Sequence, residues 1–253
     1  MAITIKHNKS TSVIPIKNTK CKAFPITDIL PGQAWKDKTC FLIGGGPSLA
    51  NFDFELIRNE LSIGVNKSFT KFPTTVNYIM DTRFYDTITY PSKDNVDLHR
   101  KWKQYTGIKV FLRHSVKFKF DSSVYYVNNL TSSCLSLNLK KGIWGGNNSG
   151  FGALMLACAL GCKRIGLLGY SMKVQGGGKK IKTHWHSGYS FQNVKSFQPK
   201  LDKFKTCFDN FADVIAAQGI EVVNLVKKSE DSALECFPKD SLDNFLSKSK
   251  IGV

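Results

Sequence analysis

Two histidines, His184 and His186, bracket Trp185 in a polar stretch of this 253-residue chain. Imidazole titrates near neutral pH, so either ring could take a proton from a hydroxyl. A spacing of two puts both rings on one side of an extended segment, where a metal could also sit. No third histidine or cysteine lies nearby, and general-base chemistry fits the pair better. Tyr189 follows closely and could donate a hydrogen bond to a leaving phosphate. Solvent-facing loop histidines are the plainer alternative.

Glycine and amide clusters suggest what such a base would act on. Gly44, Gly45, Gly46, Pro47 and Ser48 follow the apolar run TCFLI. Glycines there would let backbone N–H groups approach a phosphate, with a following helix start favouring its charge. The segment lacks the ending of a Walker loop and the order of a dinucleotide fingerprint, and it also suits a bare tight turn. Asn66 and Lys67 follow LSIGV; they could bond a base or sugar and neutralise phosphate, or simply end a strand in solvent. Asn147, Asn148, Ser149 and Gly150 precede the apolar segment SGFGALMLACALG and would present donors at its N-terminus, as a second anion site or as ordinary caps. Gly169 and Tyr170 follow KRIGLLG. Asp81 ends VNYIMD and is a candidate metal or hydroxyl partner.

Charge narrows the chemistry. Lys and Arg number 36 against 19 Asp and Glu, a net +17, on a chain too apolar for a disordered basic tail. From Ser122 through Leu201 there is no Asp or Glu, while lysines and Arg164 recur. Paired-carboxylate catalysis has no place in that stretch, and its potential should attract a nucleotide or another polyanion. The seven cysteines have no paired C-x-x-C spacing and read as buried free thiols rather than a disulfide frame or zinc cage. No apolar run is long enough for a membrane span, and the N-terminus lacks a signal-peptide core; the expected compartment is the cytoplasm.

The elements that must position these residues alternate along the chain. Short apolar runs at 39–43, 61–65, 76–81, 108–113, 124–127, 163–169 and 220–226 read as strands. Phe52, Leu56 and Ile57 have helical spacing, and 149–161 is apolar all round, as expected of a core helix closed by Gly161. Phe197, Leu201, Phe204, Phe208, Phe211 and Ile215 form one amphipathic helical face ending at Gly219. This is an α/β pattern with a mostly parallel sheet, one domain over 39–253 after an irregular arm over 1–38. In such a sheet ligands bind at the carboxyl ends of the strands, where four clusters fall: Gly44 to Ser48, Asn66 to Ser68, Asp81 with Arg83, and Gly169 to Ser171. The long loop over about 170–196, which holds the histidines, reads as a lid.

FLIGGGPSLANFDFELI with IGVNKSF, then NSGFGALMLACALGCKRIGLLGYS and THWH, resembles one Rossmann-like superfamily. It joins bacterial lipooligosaccharide sialyltransferases, motility-associated flagellin glycosylation factors and archaeal 6-hydroxymethylpterin diphosphokinase-like proteins. The likeness spans about Thr39 to Leu246. It implies a glycosyltransferase-A-type sheet with helices on both faces. It also implies a nucleotide held by Gly44, Gly46, Ser48, Asn66 and Ser149, a lid base at His184 or His186, and a phosphate-assisting Tyr189. The sialyltransferase loop has Asn where this chain has Gly45, and Asp81 instead resembles the ATP- and magnesium-using branch. Three functions are therefore expected: transfer from a nucleotide sugar to an anionic saccharide or a hydroxylated base in DNA; an ATP/magnesium phosphotransferase; or a non-catalytic nucleotide or nucleic-acid-binding module. No tightly bound cofactor is expected.

Overall fold

The computed structural model describes residues 23–115, 120–176, 182–186, 197–226 and 232–250. Among them nine strands form a single sheet: β1 Phe24–Pro25, β2 Thr39–Ile43, β3 Leu61–Val65, β4 Val76–Ile79, β5 Ile108–Arg113, β6 Val124–Asn128, β7 Arg164–Leu168, β8 Glu221–Leu225 and β9 Lys239–Asp240. Their order is β1-β6-β5-β4-β3-β2-β7-β8-β9. Every described pairing is parallel. The chain is thus an α/β protein of Rossmann-like type.

Successive strand residues point to opposite faces, and both faces are covered, which is why the strands are continuous apolar runs. Cys40 and Leu42 face a core shared with Phe151, Phe208 and Ile215, whereas Phe41 and Ile43 face a second core with Ile57 and Phe245. A third cluster, around Phe84, Tyr85, Trp102 and Phe111, covers the β4–β5 side. The helices are α1 Thr82–Thr89, α2 Val96–Gln104, α3 Ser149–Ala159, α4 Phe197–Ala216 and α5 Leu242–Lys250. α3 is buried all round, packed on β2, β3 and β4 and against α4. Gly161 ends it at φ +91°, a left-handed conformation that glycine adopts cheaply.

Four features differ from the sequence expectation. The 48–57 region forms two short 3-10 turns, Pro47–Asn51 and Phe54–Ile57, rather than a helix; Ser48 lies inside the first, whose cap position is Gly46. Leu56 is consequently exposed while Ile57 is buried. The described part of the N-terminal arm belongs to the fold: Phe24–Pro25 pair with Tyr125–Tyr126, and Ile26 and Trp35 are buried. The α4 stripe is split, Phe208, Phe211 and Ile215 entering the core while Leu201 and Phe204 line a cleft. Cys40, Cys158, Cys162 and Cys207 are buried free thiols as expected, but Cys236 is half-buried, Cys134 is exposed, and Cys21 lies outside the described residues.

Candidate functional site

β2 sits between β3 and β7, so the sheet reverses direction of winding at the β2–β7 boundary, where open parallel sheets leave a crevice. A cleft of about 780 Å³ opens there. It runs across the carboxyl ends of β7, β2, β3, β4 and β5, with α4 as its other wall.

The glycine loop after β2 and the loop after β7 are packed backbone on backbone. Gly44 N–H donates to Leu168 O (2.8 Å) and Gly46 N–H to Gly169 O (3.0 Å). A Cβ on Gly46 would lie 2.5 Å from Gly169 O, so this contact requires glycine. Two of the amides expected to reach a phosphate thus extend the parallel ladder by a residue instead. Gly44, Gly45, Gly46 and Pro47 still line the cleft; Ser48 does not.

Asn66, after β3, lines the cleft in a left-handed conformation, φ +53°. Its Oδ1 is buried with no hydrogen-bond partner among the described residues. Asn66 thus combines a strained backbone with an unpaired polar atom at one strand end. Two residues fix it. Asn77, fully buried in β4, donates from Nδ2 to Asn66 O (3.0 Å), and Ser68 Oγ donates to Ile43 O (2.9 Å), tying the turn to β2. Asn77 was not singled out by sequence, although an asparagine inside the strand VNYI is a detectable signal.

Asn147, Asn148, Ser149 and Gly150 also line the cleft at the start of α3. Asn148 serves as its cap, Oδ1 accepting from Phe151 N–H (2.7 Å). Gly169 and Tyr170 line it too. Tyr170 is buried and its hydroxyl, which burial keeps protonated, donates to Gly150 O (3.3 Å); it is a prop under α3.

His184 enters from the opposite side. Its ring stacks on His186 (centroids 4.7 Å apart, planes at 22°) and touches Phe197 at 5.0 Å. Its Nδ1 lies 2.9 Å from Thr183 Oγ1. Burial, reinforced by the charges of Lys67 and Lys200, pushes its pKa down to about 4, so the ring is neutral at pH 7. His184 and Thr183 line the cleft, while His186 stands behind as the stacking partner. Lys67 is likewise outside the lining, half-buried and with its pKa lowered by burial, but close enough to act on His184. Tyr189 lies outside the described residues.

Among the described residues, the remaining charges in the lining are one-sided. Arg83, Lys173 and Lys200 stand against one carboxylate, Asp81, whose Oδ1 accepts from Phe84 N–H (2.9 Å) as the cap of α1. Among the described residues no group of three His, Cys, Asp or Glu side chains could hold a metal. Sequence reasoning had not assigned Lys200 or Gln198; the latter bonds Val174 N–H and Met172 O and thereby joins the β7 loop to α4. No helix among the described residues is long and apolar enough to cross a membrane.

No model of a known protein family matches the chain, and a search of curated proteins also finds no match.

Proposed function

We propose that this chain is a nucleotide-sugar-dependent glycosyltransferase acting on a hydroxyl of an anionic acceptor, a saccharide or a hydroxylated base in DNA. The observation that carries the reading is a neutral, half-buried imidazole, His184, facing a cationic cleft at the switch point of a parallel sheet. In the tautomer in which Nδ1–H donates to Thr183 Oγ1, Nε2 carries the lone pair that accepts a proton. The acceptor oxygen attacks the anomeric carbon as its proton passes to Nε2. The bond from that carbon to the donor phosphate breaks, and its electron pair leaves on the phosphate oxygen. The cations of the lining, Arg83, Lys173 and Lys200, offset that charge. The donor also strengthens the base: burial is the main cause of the low His184 pKa, and the phosphates counter the lesser part that Lys67 and Lys200 contribute.

A second reading, an ATP-dependent phosphotransferase on a small heterocycle, rests on Asp81 facing the same cleft. Magnesium is usually held by one or two carboxylates together with substrate phosphates, and Asp81 keeps Oδ2 for that role. A thermal-shift screen separates the two, because a ligand bound only by the native state raises its stability. A nucleotide sugar, or its nucleotide product, should stabilise the protein in the presence of EDTA. Stabilisation by ATP only with magnesium would replace the first reading with the second. A His184→Ala, His186→Ala double variant that binds ligand normally but no longer turns it over would exclude the remaining reading, a non-catalytic binding module.

A further inference from the structure

We infer that Trp185 is the pin that seats His184 in the cleft, and that Gly45 is the seat. The segment 182–186 lies across the glycine loop as a strap. Its N-terminal end is closed by a reciprocal pair, Gln175 N–H to Lys182 O (3.0 Å) and Lys182 N–H to Gln175 O (2.7 Å). Its other end is held by Trp185, which donates twice to the loop: backbone N–H to Gly45 O (3.1 Å) and indole Nε1–H to Gly44 O (3.2 Å). The indole ring packs against the core cluster of Phe41, Ile43 and Leu49, and Lys71 Nζ sits 5.8 Å from its centre. Tryptophan is the side chain that supplies a large apolar body together with an N–H donor.

The rings then form a chain: the Trp185 indole meets His186 edge-on with centroids 4.8 Å apart, and His186 stacks on His184 at 4.7 Å. The space His184 fills is the space a side chain at position 45 would need: a Cβ there would lie 2.8 Å from His184 Cδ2 and 3.6 Å from Nε2. Gly45 has no positive φ, so its requirement is room and not backbone freedom. Among the described residues, the groups around His184 include Lys67 from the turn after β3, Lys200 and Phe197 from α4, and Thr183 and His186 from the strap itself.

The catalytic consequence rests on reading His184 as the base, but the seating is measurable without turnover. In the full-length protein labelled with ¹⁵N-histidine, NMR titration follows His184, identified by the signal that disappears in His184→Gln. The parent ring should titrate at about 4. Trp185→Ala should release the strap and return the titration toward the ordinary 6.5. Trp185→Phe, which keeps a ring and loses one donor, should give a smaller rise in the same direction. Gly45→Ala should also raise it, by unseating the ring while leaving the core intact, so the test survives if Trp185→Ala fails to fold. An unchanged His184 titration in Gly45→Ala and Trp185→Phe overturns the inference. A shifted titration with undiminished turnover leaves the seat standing and sinks the base.

Discussion

At the scale of single residues, the site depends on groups that are individually unfavourable. Asn66 occupies a left-handed conformation that costs a non-glycine residue up to about 1–2 kcal/mol, less for asparagine. Asn66→Gly should therefore leave thermal stability equal or higher while weakening nucleotide binding, seen by calorimetric titration; lower stability with unchanged affinity would show that Asn66 serves the fold alone. Asn77→Ala strips Asn66 O of its donor inside the sheet and should cost about 1–3 kcal/mol in denaturant unfolding. His184 makes a pH prediction. Its folded pKa of about 4 lies below the ordinary 6.5, so the stability of keeping it neutral is complete above pH 6.5 and is lost as pH falls through 4. For the same reason the acid limb of kcat/KM should lie near pH 4 and move to higher pH in Lys67→Met and Lys200→Met, which remove the repelling charges. A limb that stays in place would mean that burial alone sets the base.

At the scale of elements, α3 carries the clearest prediction. Its cap, Asn148, holds the Phe151 amide beneath a wholly buried helix, so Asn148→Ala should lower stability by about 1 kcal/mol. α3 and seven of the nine described strands were legible in the sequence, because elements buried on every side must be apolar throughout. β1 and β9 were not, being two-residue strands that earn their place only by pairing with β6 and β8. Phe52, Leu56 and Ile57 suggested a helix, but Asp53 caps a single tight turn and the chain reaches β3 within a few residues. The glycines were legible as a close approach; that two of them approach Gly169 and Leu168 was not, since which loops meet depends on strand order. The strap was visible as histidines spaced by two, whereas the role of Trp185 between them depends on contacts with Gly44 and Gly45 that are far off in sequence.

At the scale of the whole molecule, the net charge of +17 acts in two directions. Like-charge repulsion opposes the compact state, while the cations in the cleft attract the ligand. Added NaCl should therefore raise the melting temperature of the free protein and weaken its affinity for a nucleotide diphosphate; salt effects of the same sign on both would separate the charge from the site. The absence of acids from Ser122 through Leu201 is now tied to one place: α3, the β7 loop, the strap and the first turn of α4 all come from this stretch and all border the cleft. The role of His184 as base is tested by single-turnover release of nucleotide from a bound nucleotide sugar, with acceptor and EDTA present, in parent and His184→Ala proteins. Release by the parent and a fall of about 10²-fold or more in the variant, with donor affinity retained, is the predicted result. Equal release rates in the two proteins would contradict it.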